Sequence, residues 1–80
     1  MQKVEIKLSL AENVKTFVNI VNRYDFDMDL RAGRHVVDAK SILGIFSLDL
    51  SKPISLEIDD DSNHAQAVQQ LLNDIKPFIA

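Results

Sequence analysis

The 80-residue sequence contains no cysteine and no tryptophan, two glycines and two prolines. The absence of cysteine excludes disulfide staples, a thiolate nucleophile and the Cys-rich zinc sites, so stability must come from packing. There is no internal repeat, no Gly/Ser/Pro-rich linker and no low-complexity block. Residues 1–80 therefore read as one domain, since two cores in so short a chain would each fall below the size that folds unaided. No apolar run approaches the roughly 18 to 20 residues needed to span a bilayer. The opening Met1-Gln2-Lys3-Val4-Glu5 alternates polar and apolar residues where a signal peptide would be continuously apolar. A cytoplasmic location and no membrane partner are expected. Nine basic against twelve acidic residues give a net charge of −3, and the basic residues are scattered, which argues against nucleic acid as a partner. What is present, 46% hydrophobic and 26% charged residues, is the composition of an ordinary globular protein.

The apolar residues carry the periods of regular structure. Val4, Ile6 and Leu8 alternate with Lys3, Glu5 and Lys7, predicting a half-buried strand over about residues 2–8. Ser9 and Glu12 have the Ser-x-x-Glu spacing of a capping box, in which each side chain satisfies a backbone donor at a helix start. The stripe Leu10, Val14, Phe17, Val18, Val21 then predicts a helix to about Tyr24. Phe26, Met28 and Leu30 alternate with Asp27, Asp29 and Arg31 in a second strand, and Ala32-Gly33-Arg34 turns the chain into a short third strand around His35-Val36-Val37. Ser41 is a favoured N-cap ahead of Ile42, Leu43, Ile45 and Phe46, a short helix with little polar face. Pro53 opens a fourth strand in which Ile54, Leu56 and Ile58 alternate with Ser55, Glu57 and Asp59. Asp61 or Ser62 can cap a last helix with the stripe Ala65, Val68, Leu71, Leu72, Ile75, which Pro77 ends.

The order is β-α-β-β-α-β-α. Each strand has one apolar and one polar face, the signature of an antiparallel sheet wet on one side and covered by amphipathic helices on the other. The fold class expected is α+β, an open-faced two-layer sandwich.

The stretch from Arg23 to Leu48, Arg-Tyr-Asp-Phe-Asp-Met-Asp-Leu followed by Asp-Ala-Lys-Ser-Ile-Leu-Gly-Ile-Phe-Ser-Leu, resembles HPr, the histidine-containing phosphocarrier family of the bacterial phosphoenolpyruvate-dependent sugar phosphotransferase system. Lys40-Ser41-Ile42-Leu43-Gly44 with Ser47-Leu48 looks like that family's regulatory-serine motif, and the resemblance runs from about Asn13 to the C-terminus almost without gaps. It implies a four-stranded antiparallel sheet in the order 1-4-2-3 with three helices on one face, and a carrier, not an enzyme. Family members carry Gly-x-His-x-Arg-Pro before the first helix; the His is phosphorylated through Enzyme I and the Arg helps bind the phosphoryl group. Counted back from Phe17-Val18, the His position falls on Leu10, the Arg position on Glu12 and the Pro position on Asn13. Leu10 has no nucleophile, and Glu12 sets a carboxylate where a dianion would need a cation. The loop before the site is also a few residues shorter than the family's. Phosphoryl relay at this position is expected to be lost, as in the catabolite-repression HPr-like proteins that keep the serine without the histidine.

The resemblance further implies that Ser41 is a target of an ATP-dependent HPr kinase, with Lys40 able to pair with the added charge, and that Lys40 and the patch of Ile42, Leu43 and Phe46 meet protein partners: the kinase, phosphotransferase-system enzymes or a catabolite-control regulator. Leu43 and Phe46 are expected to be partly exposed, because a short helix cannot bury every face. The alternatives are a working phosphocarrier using His35 or His64, and a diverged domain with an unrelated partner. Two isolated histidines make no metal-ligand set, and Asp59-Asp60-Asp61 lacks the spaced ligands and glycine of a calcium loop. Asp25, Asp27 and Asp29 fall at period two and read as solubilising residues on the wet face of strand two. No metal or cofactor is expected.

Overall fold

The alternating segments become strands and the three-to-four-spaced segments become helices. A computed structural model describes residues 2–59 and 64–80. The elements are β1 (Gln2–Ile6), α1 (Ala11–Val21), β2 (Met28–Ala32), β3 (His35–Asp38), α2 (Ile42–Phe46), β4 (Ile54–Ile58) and α3 (Ala65–Asp74), followed by a 3-10 turn at Lys76–Phe78. The strands form one antiparallel sheet in the order β1-β4-β2-β3.

Register decides what each face carries. Val4 and Leu30 both lie opposite Leu56, and Met28 lies opposite Ile58, so these side chains share the face beneath the helices. Leu30, Leu56 and Ile58 are fully buried there, together with Ile6, Phe17, Val14, Leu71 and Ile75. The Phe78 ring meets Phe17 edge-on at 6.4 Å, a geometry favoured by the ring quadrupole. The other face carries Lys3, Glu5, Asp29, Arg31, Val36, Ser55 and Glu57 by strict alternation. On it Arg31 Nε donates to Glu57 Oε2 at 2.7 Å. That hydrogen bond holds the Glu57 carboxyl below the usual glutamate range, so its contribution to stability is complete above the usual range and is lost as pH falls through the lowered, folded-state value. The β2–β3 hairpin turns on Gly33 at φ 60°, the one positive φ among the described residues, as a two-residue turn with glycine first requires.

Several boundaries differ from the sequence expectation, each for a physical reason. β1 stops at Ile6, yet Leu8 is 1% exposed. Burying Leu8 keeps the chain extended through Leu10, so α1 starts at Ala11 with Leu10 as its N-cap and no side-chain cap. The capping box of Ser9 and Glu12 does not form. A cap contributes about 1 kcal/mol and a buried leucine about twice that, so burial wins. Leu10 consequently leaves the apolar stripe and is exposed, while Ile20 joins it. The α1 helix ends at Val21 and not at Tyr24, and β2 begins at Met28, although Phe26 is buried just before it. Asp25 and Asp27 therefore precede β2, and only Asp29 lies within it. In α3, Ala65 is exposed and the N-cap position falls to His64; the expected caps Asp61 and Ser62 lie outside the described residues, as does most of Asp59-Asp60-Asp61. The C-terminal residues return to β1, where Lys7 N–H donates to Phe78 O, Ala80 N–H donates to Glu5 O, and Ile79 bridges Ile6.

Tyr24 joins two distant segments, its hydroxyl donating to Asp74 Oδ2 at 2.7 Å across 50 residues of sequence. Burial, then the Asp74 contact, push the phenol up to about 12. Since it is the only tyrosine, a spectrophotometric phenolate titration reads it directly. The folded protein should titrate near pH 12 and the denatured chain near 10. Stability from this anchor is complete below the unfolded value and disappears as pH rises through the folded one. Coincident titrations in the two states would contradict the anchor.

Candidate functional site

Two places carry the residues singled out from the sequence. The first is the start of α1. Leu10 occupies the N-cap with extended backbone, φ −122° and ψ 149°, and its side chain is 56% exposed. The N–H groups of Asn13 and Val14 donate to its carbonyl. Glu12 stands exposed in the first turn, its carbonyl accepting from Thr16 Oγ1. The position thus joins the positive end of a helix dipole to an alkyl side chain and a nearby carboxylate. Lys7, the nearest preceding base in sequence, turns its Nζ onto the Ser51 carbonyl at 2.9 Å.

The second place is α2 and the residues leading into it. Ser41 is exposed, and its Oγ accepts from Gly44 N–H at 3.2 Å, the side-chain cap expected from the sequence and the only one among the described helices. Gly44 suits a close approach: a Cβ there would lie 3.2 Å from Val37 Cβ and 3.3 Å from Ser41 Oγ, so its neighbours would have to give by a few tenths of an ångström. The helix is therefore pressed onto β3 through a glycine, with Ile45 fully buried beneath it. Pointing the other way, Leu43 is 82% exposed and Phe46 45%, while Ile42 is half-buried. So much apolar surface on a five-residue helix is not needed for folding.

Lys40 is held inward. Its Nζ donates to Tyr24 O at 2.5 Å, its N–H donates to Asp38 Oδ1 at 2.9 Å, and its carbonyl accepts from Asn22 Nδ2 at 3.4 Å. Nothing in the sequence signals this tether, whose partners lie at the end of α1, in the link to β2 and in β3. His35 is exposed in a cleft of about 290 Å³ lined also by Gly33, Asp49, Lys52 and Pro53. His64 is half-buried with its ring 5.3 Å from Phe26. Among the described residues no three His, Asp or Glu side chains gather as a cation site, and no helix is long and apolar enough to cross a membrane.

A search of curated proteins found no match. Among solved structures, HPr-C-His from Thermoanaerobacter tengcongensis is similar at TM-score 0.73 and 28% identity, over 95% of this chain and 92% of that one. A phosphocarrier protein HPr from Bacillus anthracis str. Ames is similar at TM-score 0.69 and 26% identity, over 92% and 93% of the two chains. The Bacillus subtilis catabolite repression protein Crh, described as a swapped dimer, shares the fold at TM-score 0.64 and 24% identity, over 96% and 88%. Residues 3–76 match the family PTS-HPr, whose description is PTS HPr component phosphorylation site. The chain belongs to the HPr family of phosphotransferase-system proteins, which are phosphocarriers that work with protein partners and are not enzymes.

Proposed function

We propose that this HPr-family chain is a regulatory binding module of the phosphotransferase system, silent in phosphohistidine relay and acting through Ser41 and the apolar surface beside it. The observation that carries the reading is Leu10 at the N-cap of α1, exposed and without a nucleophilic atom. The amides at the start of α1 have no side-chain cap, so an anion would find donors there. The loss therefore rests on the side chains: an alkyl group where the resemblance puts the imidazole, and the Glu12 carboxylate where it puts the guanidinium.

Ser41 supports the regulatory half. Its hydroxyl is exposed at the start of α2, and a phosphate there would face the first-turn amides of α2, Gly44 N–H among them, in place of the neutral cap. Lys40, the nearest cation in sequence, would have to leave the Tyr24 carbonyl to pair with it. Leu43 and Phe46 supply the exposed apolar contact for a kinase, a phosphotransferase enzyme or a catabolite-control regulator, in a protein read as cytoplasmic.

Two incubations test this. With an HPr kinase and ATP, mass spectrometry should place one phosphate on Ser41; an unmodified chain would remove the regulatory half. With labelled phosphoenolpyruvate and Enzyme I the chain should stay unlabelled, and an acid-labile phosphohistidine at His35 or His64 would overturn the silent-relay half. The patch has its own prediction. Because Leu43 is 82% exposed, Leu43→Ala should leave stability within about 0.5 kcal/mol while slowing Ser41 phosphorylation at least about fivefold, the loss expected when a central apolar contact worth over about 1 kcal/mol is truncated. An unchanged rate would remove Leu43 from the interface.

A further inference from the structure

A further group of polar side chains gathers where the loop entering β4 meets the β2–β3 turn. The two segments are neighbours because β4 pairs with β2, Ser55 lying opposite Arg31. Between them is the cleft of about 290 Å³ that His35 lines. The loop is held from two sides. Asp49 Oδ1 accepts from Ser51 N–H at 3.0 Å and from Ser51 Oγ at 2.6 Å, while the Ser51 carbonyl accepts from Lys7 Nζ at 2.9 Å. The cleft is thus shaped before any ligand arrives, which lowers the ordering cost of binding.

Its lining carries both signs of charge. The Ser51 hydroxyl, then the Ser51 N–H, hold the Asp49 carboxyl below the usual carboxylate range, so it is ionised at neutral pH. Both bonds fall on Oδ1, and Oδ2 receives none from the described residues. Lys52 makes no hydrogen bond or ion pair among the described residues. The two opposite charges therefore share the cleft without contact. His35 adds an imidazole able to donate and accept, and Ala32, Pro53 and Ile54 supply apolar surface.

Separated charges of opposite sign choose the ligand. A simple anion would satisfy Lys52 but face Asp49, and a simple cation would do the reverse, so each leaves a charge opposed. A zwitterion satisfies both. At about 30 Å³ for each non-hydrogen atom, the share of one water in the liquid, the volume takes about ten such atoms. We infer that this cleft binds a free aliphatic α-amino acid, its carboxylate on Lys52 and His35, its ammonium on Asp49 Oδ2 and its side chain on Ala32, Pro53 and Ile54. Neither Leu10 nor Ser41 takes part, so the inference is independent of the regulatory reading.

So small a ligand binds weakly, with Kd on the order of 1–10 mM. The protein has two histidines, so proton NMR of the imidazole signals reads the site with its own control. Titration with L-leucine to about 50 mM should move the His35 signals along a saturating curve and leave those of His64 in place. Isoamylamine, which lacks the carboxylate, and 4-methylpentanoate, which lacks the ammonium, should each bind at least about fivefold more weakly. Lys52→Gln should weaken leucine by a similar factor and leave isoamylamine unaffected. Asp49→Asn, which keeps the Oδ1 acceptor for Ser51, should weaken leucine and leave 4-methylpentanoate unaffected. Stationary His35 signals, analogues that bind as tightly as leucine, or folded variants that bind leucine like the parent would overturn the inference.

Discussion

The structure depends on keeping one face of the sheet dry. β4 sits between β1 and β2, and its Ile54, Leu56 and Ile58, at 2%, 0% and 0% exposure, can reach that state only with the period-two register the sheet adopts. A slip of one residue would turn all three to water and bring Ser55 and Glu57 under the helices. The same register places Arg31 within reach of Glu57 on the wet face. The ion pair is thus a consequence of apolar burial on the other side.

The candidate site inherits this constraint. Leu8 follows β1 in the same alternation and is buried with it, which keeps the backbone extended until Leu10 and makes that residue the N-cap of α1. The position with functional weight is therefore set by packing two residues earlier, and its chemistry is only what its side chain brings. At α2 the logic is similar. Gly44 lets the helix settle on Val37, Ile45 anchors it, and the remaining apolar side chains are left outward because one turn and a half has no second buried face. Ser41 is exposed at the start of that helix by the geometry that makes it a cap.

Much of this was legible in the sequence, and what was not has a common cause. Alternation and three-to-four spacing are local, so the elements, their order and most of their inward residues could be read directly, Leu10, Ile20 and Ala65 excepted, and Ser41 announced its cap. Contacts set by register or chain return could not. The Arg31–Glu57 pair, the Tyr24–Asp74 bond, the Lys40 tether and the return of Ile79 to β1 join residues whose separation in sequence carries no signal. The capping box failed because a sound local signal competed with burial of Leu8. At the site, the meaning of Leu10 and Glu12 came from family resemblance, whereas exposure of Leu43 and Phe46 followed from the shortness of their helix.

The central claim is that the scaffold of a phosphocarrier persists here and that two side chains silence it. The most direct measurement is phosphoryl transfer from labelled phosphoenolpyruvate through Enzyme I to the double variant Leu10→His with Glu12→Arg, run beside the parent chain. The account predicts acid-labile label on the introduced imidazole and none on the parent. A labelled parent, or a folded double variant that stays unlabelled, would contradict it.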